Sequence, residues 1–213
     1  MSIVTLNDRA VRSVTTFGSL NTGNMVFIKK LTASSSANLS FVNGTSDVVL
    51  DSTYKEYLFT FKNIHAGTRG DHALSMNFSI DSGSNYNVSK ISSHFRTYHA
   101  EDGGGGTLTY DTNRDSASGL TTSDIKISNS QTDTDDEHSA SGYLHLFDPS
   151  NTTFVKHFMS NISEVGYTGG GTGSEIQTLV GGYCNTTSAV NAVQFKMSSG
   201  NIDAGDICLY GIN

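Results

Sequence analysis

The alternation of side chains near the C-terminus constrains the fold most. Val193, Phe195 and Met197 alternate with Gln194, Lys196 and Ser198, the polar turn Ser199-Gly200-Asn201 follows, and the chain closes on Ile207-Cys208-Leu209-Tyr210-Gly211-Ile212. Apolar residues two apart line one face of an extended chain, so this segment reads as a half-buried strand, a turn and a second apolar strand. A chain that closes on a strand has tucked its tail into a sheet.

The same grammar recurs upstream. Met25 to Leu31 and Leu39 to Val42 bracket the polar Ala33-Ser34-Ser35-Ser36 and read as consecutive antiparallel strands, with Asn43-Gly44 supplying a turn that tolerates positive φ. Tyr54 to Ile64 places Tyr57, Phe59 and Phe61 on one face and Leu58 on the other, the pattern of a strand in the middle of a sheet. Leu74 to Ile80 and Ser93 to Tyr98 alternate cleanly and read as half-buried. Tyr143 to Phe147, the turn Asp148-Pro149-Ser150-Asn151 and Phe154 to Met159 make a hairpin whose proline sits where φ near −65° suits a turn. Ile176 to Tyr183 follows the Gly-rich stretch 169–173.

Segments 81–85 and 100–138 lack this pattern and read as loops, with a minor strand at Ile125 to Ile127. Residues 1–24 are the least strand-like: Asn7 or Asp8 can cap a short helical turn through Ala10, Val11 and Val14, or the segment is an arm that docks elsewhere, or a disordered end. About eight to ten strands and no long helical pattern predict an all-β fold, a two-sheet antiparallel sandwich, jelly-roll-like, with a short N-terminal arm. A length of 213 residues suits one such domain over 25–213.

Only 15% of the chain is charged, against about 25% in an ordinary domain, so Ser, Thr, Asn and Gly give the surface its polarity. Such surfaces are common on secreted, adhesive and viral-coat β proteins. A net charge of −7 with 13 dispersed Lys and Arg offers no basic patch to displace counterions, which argues against a nucleic-acid partner. No apolar run of about 18 residues predicts membrane insertion, and the N-terminal residues show no basic segment leading into an apolar core, so cytoplasmic synthesis without a signal peptide is expected. Seven Asn-x-Ser/Thr triplets, beginning at Asn38, Asn43, Asn77, Asn87, Asn151, Asn161 and Asn185, are then chance products of composition. Cys184 and Cys208 read as small buried hydrophobes on neighbouring strands.

Catalytic grammar is sparse. There is no Gly-x-Ser-x-Gly, and Ser174 after Gly173 lacks that frame. Gly169 to Glu175 has an acid where a phosphate cradle needs lysine. Asp133, Asp135, Asp136 and Glu137 are dense enough to surround Ca²⁺ but lack the kinked loop of a known site, so a solvated acidic loop is expected. His145 and His157 can face each other across the hairpin, whereas His94 and His99 point to opposite sheet faces. Tyr57 and Phe59 read as core rather than as a sugar platform. No catalytic, cofactor-binding or metal-binding residue is expected, and no cofactor.

Tyr54-Lys55-Glu56-Tyr57, Tyr143 to Phe147, Thr152 to Phe158, Asn185 to Ala189, and Gln194 to Ile202 with the Leu209-Tyr210-Gly211-Ile212 end occur in an order that resembles the virion structural proteins of marine bacteriophages, short fibre-like or head-decorating proteins. The likeness runs from about Thr5 to Asn213. It departs at Ala66, where proline is expected after His65, and at the four-glycine run 103–106; both fall in loops. The resemblance implies a non-enzymatic component of the virion, a capsid decoration or tail-fibre knob. It would associate with itself, as a trimer, and dock to other phage virion proteins through residues 1–24. A second reading is a host-attachment adhesin that binds surface glycan through loops 81–86, 100–138 and 166–174. A third, a capsule polysaccharide hydrolase, needs carboxylates paired in space.

Overall fold

The computed structural model describes residues 24–70, 72–116, 119–129, 137–168 and 172–213. Among these residues there is no helix, and twelve strands follow one another: β1 (Met25–Thr32), β2 (Leu39–Val42), β3 (Glu56–Ala66), β4 (Leu74–Ser79), β5 (Lys90–Ala100), β6 (Gly105–Tyr110), β7 (Ile125–Lys126), β8 (Ala140–Phe147), β9 (Lys156–Thr168), β10 (Thr172–Cys184), β11 (Ala192–Met197) and β12 (Ile202–Ile212). They form an eight-stranded sheet in the order β1-β12-β3-β8-β9-β10-β5-β6 and a four-stranded sheet in the order β2-β11-β4-β7. Among the described strands every pairing is antiparallel.

Setting aside β5, β6, β9 and β10 leaves the two facing orders β1-β12-β3-β8 and β2-β11-β4-β7. That interleaving is a jelly roll. The four remaining strands are two hairpins, both added to the large sheet beyond β8. The all-β sandwich expected from alternation is therefore what the chain builds, with more strands than the alternation alone marked.

Hydrophobic burial places the core between the small sheet and the β1-β12-β3-β8 half it faces, and carries it on to Phe158 and Ile162 of β9 and Val180 of β10. Tyr57, Phe59 and Phe61 of β3 point inward, and Phe195 of β11 packs edge-on against Phe59 and Phe61, with ring centroids 5.3 and 5.2 Å away, and against Phe41 of β2 at 6.3 Å. β3 pairs on both sides, with β12 and β8, as its two-faced apolar pattern predicts. The tail is in a sheet too: β12 lies between β1 and β3, and Asn213 donates its N–H to the Asn24 carbonyl.

Several expectations need correction. β1 and β2 are not paired partners; β1 bonds to β12 and β2 to β11, because a jelly-roll chain crosses between sheets after each of these strands. β4 is buried on both faces, not half-buried: its polar residues Ser75, Asn77 and Ser79 are covered and hydrogen-bonded. Cys184 and Cys208 are not on neighbouring strands, since β10 and β12 are separated by β3, β8 and β9; Cys184 is buried and Cys208 half-buried. The glycine-rich start of β6, read as loop, opens a strand paired with β5, with a register shift between Tyr98 and His99 where Gly105 and Gly106 take positive φ. β7 forms where the minor strand was expected, and β8 and β9 make the expected hairpin, with Pro149 second in a turn closed by the Asn151 N–H on the Asp148 carbonyl. The proposed N-terminal arm lies, apart from Asn24, outside the described residues, as does the acidic loop up to Asp136.

Candidate interaction surface

The outer face of the large sheet breaks the usual pattern of an antiparallel sheet with one wet side. Cross-strand register lines up Tyr143 of β8, Asn161 of β9, Leu179 of β10, Phe95 of β5 and Tyr110 of β6 in one row. A parallel row runs Phe27, Tyr210, Leu58, His145 and Met159. Alternation forces each of these side chains away from the core, yet most are apolar; Met159 is 60% exposed and Phe27 56%. Phe95 meets Tyr110 edge-on at 5.0 Å, and Phe27 meets Tyr210 at 5.6 Å. Contiguous apolar surface of this kind makes the face a candidate for docking.

A hollow of about 300 Å³ opens in this face, lined by Glu56, Tyr143, His145, Phe147, Met159 and Leu179. Its polar handles are Asn161 and the hydrogen-bonded contact between His145 Nδ1 and Glu56 Oε1. The imidazole stacks on Phe147 at 6.0 Å with 13° between planes and takes the edge of Tyr143 at 5.3 Å. The carboxylate fixes the ring's orientation and the aromatics hold its plane, so the hollow presents a largely apolar wall of fixed shape. That geometry suits seating an apolar side chain.

The inner face of the added hairpins is mixed: Phe158, Ile162 and Val180 extend the core onto it, and beyond them lies a polar cluster covered by the loop after β6. Asp111 Oδ2 lies 3.2 Å from Arg96 Nε and 3.4 Å from Arg114 Nε, Arg96 Nη1 donates to Asn129 Oδ1 at 3.0 Å, and the Asn129 N–H bonds to Glu164. Burial holds the His94 imidazole, set against the Ser128 backbone, down to about 4. Nearer the core, Cys184 sits between Lys156 and Lys90 in register. Lys90 Nζ donates to Asn77 Oδ1 at 2.6 Å and to the Val88 carbonyl, and Lys156 Nζ to the carbonyls of Phe154 and Thr186. Burial lowers Lys90 to about 8 and pushes the Cys184 thiol up to about 12, which keeps that thiol protonated and inert. These groups pin strands and loop together. A second hollow of about 290 Å³, open and polar, lies along that covering loop between Asn113, Arg114, Asp115, Thr121, Asp124 and Lys126.

The residues singled out by sequence are dispersed. His94 and His99 do face opposite ways, buried and exposed. His145 and His157 share the outer face but are not opposed: His145 stands across from Met159 and His157 across from Tyr183, whose ring it tilts against at 6.0 Å. Ser174 is buried within β10, and Tyr57 and Phe59 are core. Among the described residues no three His, Cys, Asp or Glu side chains gather as a metal site. Sequence reasoning missed the outer rows because each strand shows only one or two of their members, and register brings them together only in the folded sheet.

No family model, curated protein or solved structure matches this chain.

Proposed function

We propose that this chain is a non-enzymatic structural component of a bacteriophage virion, a capsid decoration or fibre-knob module that works by associating with itself and docking to the particle. The observation that carries the reading is the pair of apolar rows on the outer face of the large sheet, surface that water disfavours and a protein partner would cover. The jelly roll adds support by analogy, since coat and lectin domains use it, and the hydroxyl- and amide-rich surface agrees with display outside a cell. The sequence resemblance points the same way. Immunogold labelling of purified particles checks the reading: gold on a defined shell or fibre position is expected, and unlabelled particles from which the purified chain also fails to cosediment would refute it.

A second reading, attachment to host-surface glycan, rests on the polar hollow at 113–126, which falls within a loop segment already picked out for that role. Its hydroxyl, amide, carboxylate and guanidinium groups match the donors and acceptors of a sugar. A glycan array with the wild-type chain and an Arg114→Ala, Asp124→Ala pair tests it; equal signals from both would count against it.

A further inference from the structure

The large sheet has two ends, and they are built differently. At one end β1 carries Lys29 and Lys30 and a bulge between Phe27 and Lys29, devices that blunt an exposed edge. At the other end β6, Gly-Gly-Thr-Leu-Thr-Tyr, has no charge, no proline and six exposed residues. The edges of the small sheet are β2, four residues long, and β7, two, too short to recruit a partner. β6 is thus the long unguarded edge among the described strands.

Its hydrogen-bonding side can be assigned. In an antiparallel pair both backbone groups of a residue point the same way and successive residues alternate. Asp111 donates its N–H inward to the His94 carbonyl at 2.9 Å, in register with the Phe95–Tyr110 and Arg96–Thr109 pairs. Thr107 and Thr109 therefore bond to β5, and Leu108 and Tyr110 turn their N–H and C=O to the open side.

We infer that β6 pairs with β6 of a second copy, antiparallel and in register about Leu108, joining two large sheets into one. The inference rests on the self-association proposed above and names its contact. A two-fold axis normal to the sheet keeps outer faces together, so a residue must stand opposite one of the same parity; with Leu108 facing its own copy, both Leu108 residues exchange N–H···O=C bonds and Tyr110 stands opposite Gly106. A second copy fits this edge better than a foreign strand for two reasons. The strand is uncharged, so pairing with itself opposes no like charges. The pairing also brings Leu108, 71% exposed, against its mate on the outer face, and joins the Gln177–Thr97–Leu108 row to that of the second chain. One dyad joins two chains; the threefold association expected from the sequence would need a different contact.

Sedimentation from about 1 to 100 µM, where contacts of micromolar strength assemble, tests this together with residue-resolved amide exchange. A species of twice the 22.7 kDa chain mass is expected at high concentration. The Leu108 and Tyr110 amides should slow as it forms, whereas those of Thr107 and Thr109 stay slow throughout. Leu108→Pro removes only an outward N–H, and Leu108→Lys sets charge against charge at the axis; both should sediment as monomers with an unchanged far-UV spectrum. Association that survives both variants would overturn the edge contact while leaving self-association standing. A wild-type chain that stays monomeric with a fast Leu108 amide would overturn the contact and self-association together, and Leu108 protection that appears only when particles are added would give the edge to a foreign strand.

Discussion

The two halves of the large sheet share strand geometry and differ in what holds them. The β1-β12-β3-β8 half faces the small sheet across a core of Tyr57, Phe59, Leu144, Leu146, Ile207 and Leu209, all fully buried. The β9-β10-β5-β6 half adds Phe158, Ile162 and Val180 to that core, but its far end is backed by a loop, with Arg96, Asp111, Arg114, Asn129 and Glu164 there in place of oil. Burial of apolar area is non-directional and tolerates adjustment, whereas a charged cluster stabilises only while every partner is present. One half should therefore behave as the folding unit of the molecule. The other is a platform attached to it, and it carries most of the Tyr143-to-Tyr110 outer row and the open edge.

Removing the aromatic hub strikes the first half hardest. Phe195→Ala vacates contacts with Phe41, Phe59 and Phe61 and should cost about 3–5 kcal/mol, shifting the entire denaturant transition. In the second half, Asp111→Ala leaves the guanidinium groups of Arg96 and Arg114 facing each other without their shared carboxylate, at a cost of about 3 kcal/mol. Amide exchange should locate that loss in 105–129, with the amides of β3 and β12 holding their protection. Equal loosening of both halves would break the distinction.

The halves also differ in legibility. Where a strand faces the core on one side, as in Tyr57-Leu58-Phe59-Thr60-Phe61 or Val193 to Met197, period-two alternation shows the strand and its inward face directly. β6 escaped notice because both its faces are wet, so no alternation marks it and its glycines suggest a loop. The later part of β9, Asn161 to Thr168, hides for a related reason: its inward Glu164 is satisfied by the Asn129 backbone on a distant loop, a partnership no local pattern announces. The interaction surface was the least readable feature. Tyr143, Leu179 and Phe95 look like ordinary strand apolars until register sets them side by side on the outer face.

Acidification separates the halves more gently. His94 titrates at about 4 in the folded chain against 6.5 unfolded, so between those values the unfolded chain binds a proton that the folded one excludes. Stability from this group is complete above 6.5 and falls as pH drops through the window, by at most about 3 kcal/mol. Asp111, Arg96 and Arg114 share its surroundings. His94→Gln should flatten the profile between pH 6.5 and 4 in urea titrations; an unchanged slope would place the sensitivity elsewhere.

The smallest effect on stability belongs to the outer face. Met159→Ser or Leu179→Ser should alter stability by less than about 0.5 kcal/mol, because neither side chain supports the core. Either should weaken binding to particles all the same. A surface row that mattered to folding instead would show the reverse pattern.

Light scattering of the purified chain over a wide concentration range, alone and with purified particles, addresses the interaction role most directly. The account predicts a mass above 22.7 kDa that rises with concentration, or uptake of the chain onto particles. A single 22.7 kDa species at every concentration, indifferent to particles, would contradict it.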